Sequence, residues 1–187
     1  AEEVTRVGAS LRCQGADPPL EDGGLVAAAL RIPPDRIGPG ELRPRVVGAG
    51  RPWLLVPLVD LKALRGLAVD PGLGAELAAR AGTDRIYAFT METLEPGAAA
   101  HGRHLPLGDP HGREEPVSGS AAAAVGLYLV VHQVLLAAPS ARLLVEQGHE
   151  VGRPCLVDVE VLLREGRAQL VKVGGTVIHV GLGRFEL

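Results

Sequence analysis

The 187-residue chain predicts an α+β fold in which a curled, mainly antiparallel sheet wraps around one long buried central helix. Three features carry that expectation. From about Ser118 to Ala138 the sequence is almost continuously apolar, so a helix there has no polar face and must be covered on every side. Apolar runs of strand length precede it, and a meander of such runs follows it. Finally, 25 Gly and 15 Pro punctuate the chain often enough for many short elements joined by turns. A twisted antiparallel sheet closed around the helix satisfies all three.

In chain order, Thr5 to Cys13 alternates apolar and polar residues as a strand, stopped by Pro18-Pro19. Gly23 to Leu30 is a short helix ended by Pro33-Pro34. Arg45 to Ala49 and Trp53 to Asp60 are paired strands across Gly50-Arg51-Pro52. The second is buried on both faces, with Pro57 at an edge or bulge. Leu61 to Leu67 and Pro71 to Ala81 are surface-packing helices, the latter with Pro in its first turn and Leu73, Leu77 and Ala81 at four-residue spacing. Arg85 to Met91 alternates as a strand, and Glu95 to Arg113 is a Gly/Pro/His loop. After the central helix come strands at Leu143 to Gln147, Cys155 to Leu163, Ala168 to Val173 and Thr176 to Gly181, with turns at Glu165-Gly166 and Gly174-Gly175.

Composition narrows the function classes. At 47% hydrophobic residues and a net charge of −3 the chain is not a disordered one. With 3% aromatic residues and no basic excess, nucleic acid is excluded as an expected partner. Cys13 and Cys155 stand far apart without a CxxC pair and read as reduced, buried thiols. The N-terminus lacks a basic stretch followed by an apolar one, so the expected location is cytoplasmic. Ala121 to Ala138 touches the length of a membrane span, but His132 and Gln133 interrupt it and no Lys/Arg cluster flanks it. No membrane partner is expected. Of six histidines, His101, His104 and His111 share one loop at a spacing that does not fit a closed zinc site, so no metal is expected. His132, in mid-helix, is expected to be a hydrogen-bonded core residue.

The segment His111 to Ala121 carries the chemistry. Pro116 precedes a Ser-Gly-Ser that opens the buried helix, so Ser118 caps it and the N–H groups of Gly119, Ser120 and Ala121 point out of its end. Such an end holds a carboxylate or stabilises an enolate when it faces a cavity. Glu114 and Glu115 stand just before it, where one carboxylate can move a proton if burial perturbs it. The plainer reading is a capped helix with acidic residues near its positive end.

The run REEPVSGSAAAAVGLYLV resembles the EDP-[AV]-TGSA helix signature of the PhzF (phenazine biosynthesis) family of isomerases. VEQGHEVGRPCLVDVEV and VKVGGTVIHVGLGRFEL are similar to that family's QG-x-x-x-GRPS and VGG segments, and AALRIPPDRI and GAGRPWLLVPLVDLKAL to its second-domain entry. The resemblance implies the diaminopimelate-epimerase fold, two similar domains with the active site between the N-termini of their central helices. Residues 1–15 would then be a remnant or linker from a first domain and 16–187 the second domain, its central helix at about 118–138. By position, the family's aspartate corresponds to Glu115, its threonine to Ser118, its glycine to Gly119 and its serine to Ser120. Glu115 and Ser120 are thus the implied catalytic residues, with Ser118, Gly119 and Ala121 binding substrate. Glutamate for aspartate extends the carboxyl by one methylene, and the family's general acid/base glutamate and supporting histidine belong to a first domain that this sequence does not resemble.

Two functions follow from the resemblance. One is a cofactor-independent isomerase that removes and returns a proton on a small carboxylate-bearing metabolite. The other is a non-catalytic half-domain, paired with itself as a homodimer that brings Glu115 in from each side or with a separate first-domain chain. An epimerase with two catalytic cysteines is disfavoured, because Ser120 stands where the thiol is needed. The last strand of this fold commonly returns to the first domain, which leaves Phe185 and Leu187 on an exposed apolar edge.

Overall fold

The computed structural model describes residues 4–107, 113–135, 139–178, 181 and 183–184. Eight strands, β1 (Val4–Ala16), β2 (Arg45–Ala49), β3 (Arg51–Leu58), β4 (Arg85–Thr90), β5 (Ala100–Pro106), β6 (Ser140–Gln147), β7 (Cys155–Arg164) and β8 (Arg167–Ile178), form a closed barrel in sequence order. Neighbours run antiparallel except at β3/β4 and β5/β6. Both parallel pairs need crossovers. The first passes outside the wall through α2 (Leu61–Arg65) and α3 (Pro71–Ala81). The second passes through the barrel itself as α4 (Gly119–Val131).

Alternation along the strands builds two cores. Val47, Trp53, Leu55, Tyr87, Phe89, Leu143, Val145, Val159 and Val171 point inward onto α4. On the outer side of β3 to β5, Leu54, Val56, Leu58, Ile86, Ala88 and Leu105 meet Val26, Ala29, Leu64 and Leu77 of α1 (Gly23–Ala29), α2 and α3. Strands covered on both faces read as continuous apolar runs, as WLLVPL does. Asp22, Asp60 and Asp70 cap the three outer helices by accepting N–H bonds from Leu25, Ala63 and Leu73. Pro57 lies inside β3, beyond the end of its pairing with β2 at Leu55, so no ladder bond to β2 asks for its missing N–H.

Four expectations are corrected. The central helix has 13 residues and ends at Val131, not near Ala138. Gln133 adopts φ 57°, and its N–H donates to Val130 O while that of Val134 donates to Leu129 O, a Schellman closure that stops the helix. Val131 and Val134 are 48% and 41% exposed, so the apolar sequence continues after the chain has left the barrel interior. His132 consequently sits at the C-cap rather than in mid-helix. Its ring lies 4.3 Å from that of Tyr128, and its buried Nε2 has no partner.

The stretch read as a loop, Glu95 to Arg113, contains β5. Its Gly102 is required because a Cβ there would overlap the buried Tyr87 ring, and its polar His101 and Arg103 are buried with partners. Gly174-Gly175 is no turn but the interior of β8, where a Cβ on Gly174 would stand 2.9 Å from Val7 O of β1. β1 pairs with β8 from Val4↔Ile178 to Arg12↔Leu170 and closes the barrel. The Glu165-Gly166 turn is as expected, with φ 53° and 73° at the two positions of a primed hairpin. His111, His179, Phe185 and Leu187 lie outside the described residues. Among those described, no helix is long and apolar enough to cross a membrane.

Candidate active site at the N-terminus of the barrel helix

The mouth of α4 is assembled by four strands, β3 to β6, and the segment before the helix. Ser118 is the N-cap, its Oγ accepting the Ala121 N–H at 3.4 Å. Its own N–H donates to Gln147 Oε1 at 2.9 Å, an oxygen that also accepts from the buried Tyr87 hydroxyl at 3.2 Å. Burial pushes the Tyr87 phenol well above its ordinary pKa, so it serves only as a neutral donor. Gly148 follows with φ 81°, and any Cβ there would meet Pro116 O at 2.6 Å. The end of β6 thereby clamps the residues that start α4.

The paired glutamates go to different faces of the wall. Glu114 forms a two-bond pair with Arg103, 2.9 Å to Nε and 2.7 Å to the terminal nitrogen, at 13% and 10% side-chain exposure. Arg103 also donates to Leu64 O at 2.8 Å, which ties the segment to α2. Glu115 makes an isolated antiparallel bridge with His104, and its carboxylate lies 3.1 Å from His104 Nδ1. A carboxylate only accepts, so a neutral His104 carries its proton on Nδ1. Burial holds the His104 pKa below the ordinary value despite the opposing pull of Glu115, so the ring is neutral at pH 7.

Contacts then run from Glu115 to the helix end. The His104 ring packs edge-on to Trp53 at 4.7 Å, and Trp53 Nε1–H donates to Ser120 Oγ at 3.2 Å. With its lone pair engaged, the Ser120 hydroxyl proton is turned toward other acceptors. The N–H groups of Gly119 and Ser120 have no acceptor among the described residues. Donors at a helix N-terminus, beside a carboxylate held by a neutral imidazole, can bind an anionic group and transfer a proton next to it.

The structure thus gathers Ser118, Gly119, Ser120, Ala121 and Glu115 around one helix end. Glu115 is 63% exposed there, without the burial asked of it in sequence reasoning. His104 and Trp53 were missed. His104 carried a signal as one of three closely spaced histidines, but the group is divided: His101 faces outward from β5 while His104 faces the barrel interior. Trp53 gave no signal beyond being the sole tryptophan of a buried run.

A family model described as phenazine biosynthesis-like protein matches residues 26–183. The chain is 30% identical over 167 residues to an uncharacterised isomerase of Mesorhizobium japonicum, covering 88% of this chain and 55% of that protein. It is 36% identical over 123 residues to an uncharacterised isomerase of Deinococcus radiodurans, covering 65% of this chain and 39% of the other. The fold is similar to that of a crystal structure of a PhzF-family phenazine biosynthesis protein from Bacillus anthracis, with a TM-score of 0.76 at 20% identity over 91% of this chain and 58% of that one. The chain spans about half the length of the curated relatives it matches.

Proposed function

Because the chain belongs to the phenazine biosynthesis-like (PhzC-PhzF) family, we propose that it is an isomerase domain that moves a proton on a small carboxylate-bearing metabolite. The observation that carries this reading is the continuous set Glu115–His104–Trp53–Ser120 at the mouth of α4. The substrate carboxylate sits on the Gly119 and Ser120 N–H groups, where the helix dipole favours negative charge. Glu115 exchanges the proton, with His104 donating from Nδ1 to hold the carboxylate in one orientation. The Ser120 hydroxyl, turned by Trp53, donates to charge that develops on the substrate. No cofactor is required, since amides and side chains supply both anion binding and proton transfer.

The exposure of Glu115 favours a site completed by a second surface. In this reading a second copy of the chain, as a cytoplasmic homodimer, or a first-domain chain covers the mouth of α4 and excludes water. The alternative, a non-catalytic half-domain, rests on the same exposure. Solvent deuterium incorporation into small carboxylates, measured on the chain alone and after adding a first-domain polypeptide, separates the two. Exchange that falls by about a hundredfold or more in Glu115→Gln supports the isomerase. Absence of exchange in both preparations, with light scattering showing a stable dimer or complex, establishes the half-domain instead.

A further inference from the structure

On the outer side of the barrel wall, away from α4, β5 and β6 place His101 beside Glu146, both fully buried, with His101 Nδ1 2.6 Å from the carboxylate. We propose that His101, Glu146 and His149 form a site for a divalent transition metal, best matched by Zn2+, which the expectation of no metal did not anticipate. Donor atoms of the three residues already lie within 4.8 Å of one another. Zinc bonds of about 2.1 Å set ligand atoms about 3.4 Å apart, so an ion would widen the 2.6 Å contact between His101 Nδ1 and Glu146 and draw His149 in. Two imidazoles and one carboxylate are a recognised zinc donor set that leaves a fourth position for water.

Three independent features distinguish this cluster from a buried ion pair. His149 Nε2 is buried and has no hydrogen-bond partner, whereas buried polar atoms are normally satisfied. The ligands also have the outer support that metal ligands need. His101 Nε2 faces both oxygens of Glu150 at 3.1 and 3.2 Å, which fixes the ring with Nδ1 turned to Glu146. The Glu146 carboxylate accepts the N–H groups of Leu94 and Glu95, each at 2.7 Å, which anchors it. Finally, His149 lines a surface cavity of about 580 Å3 together with Glu95, Cys155 and Leu156, which gives an ion a way in.

The residues come from two strands and the turn after β6, so the ion would fasten the 148–153 turn to the wall. This site is independent of the proton transfer proposed above. The test is titration of the tag-free, chelator-treated full chain with Zn2+ by calorimetry, and with Co2+ by absorption. Expected are about one ion per chain, a Co2+ spectrum without thiolate charge transfer, a Zn2+-dependent rise in Tm, and affinity lowered at least about tenfold in His149→Ala and Glu146→Gln. Far-UV circular dichroism verifies that each variant folds. Failure of the wild-type chain to bind Zn2+ saturably overturns the proposal without reference to any variant. So does binding unchanged in a folded His149→Ala, or a thiolate band that disappears in Cys155→Ala.

Discussion

Adjacent residues with the same chemistry have opposite fates here. Glu114 is drawn to the outer face by Arg103, while Glu115, one residue on, is turned inward to His104. The pairing of His104 with Trp53 and Glu115 yields a pH prediction. Burial depresses the folded-state pKa of His104 below the ordinary value near 6.5, so the unfolded chain takes up the proton more readily. Its contribution to stability is therefore fully present above pH 6.5 and is lost as pH falls through the folded value. NMR titration of the ring should give a midpoint below 6.5, and His104→Gln should shrink the fall in urea-derived stability between about pH 6.5 and 5. An unshifted midpoint would remove the reason to treat the ring as a neutral donor to Glu115. The sequence displayed the glutamates and Ser118 to Ala121 because a cap, a helix start and two acids are contiguous. It did not display Trp53 as a partner of Ser120, since 67 residues separate them and only the barrel brings them together.

Elements were legible where one periodicity served one environment. β3 announced itself as a strand covered on both faces, and α3 by its proline and leucine spacing. β5 did not, because its first inward positions, Ala100 and Gly102, are small and its first outward positions, His101 and Arg103, are polar residues satisfied by distant partners. Ala100 and Gly102 leave room for α4 and the Tyr87 ring, and His101 and Arg103 find Glu146, Glu150 and Glu114. Alanine is normally the better strand residue than glycine, yet Gly102→Ala should destabilise the fold by about 1–3 kcal/mol, because the Tyr87 ring has no space to yield. Equilibrium urea unfolding checks this, and a neutral or stabilising outcome would show that the approach of β5 to Tyr87 is not tight. The end of α4 was overestimated for a related reason: apolarity marks burial within a helix but also continues through Val134 and Leu135, beyond the left-handed Gln133 that stops it.

At the scale of the whole molecule the barrel is closed by its first and last strands. The Val4–Ile178 and Arg12–Leu170 pairings span β1 and β8, and Cys13 to Ala16 continue onto β2. Removing residues 1–16 therefore leaves β8 and β2 with open edges and uncovers part of α4. The truncated chain is expected to lose cooperative thermal unfolding and to elute as aggregate on size-exclusion chromatography. Retention of a sharp transition would mean that β1 is an accessory to a barrel that closes without it.

Sequence alone determined the α+β class, the buried helix start at Ser118, most strand positions and the resemblance that identified the family, because each is written in local patterns of apolarity, turns and motif spacing. Closure of the barrel, the limits of α4, the existence of β5 and the partners of every buried polar side chain were decided only by tertiary structure. Those features depend on which residues meet across long separations. A chain whose Glu115 needs His104 and whose His101 lies against Glu146 carries both pairs in its sequence, but their meeting is a property of strand register, which no local pattern records.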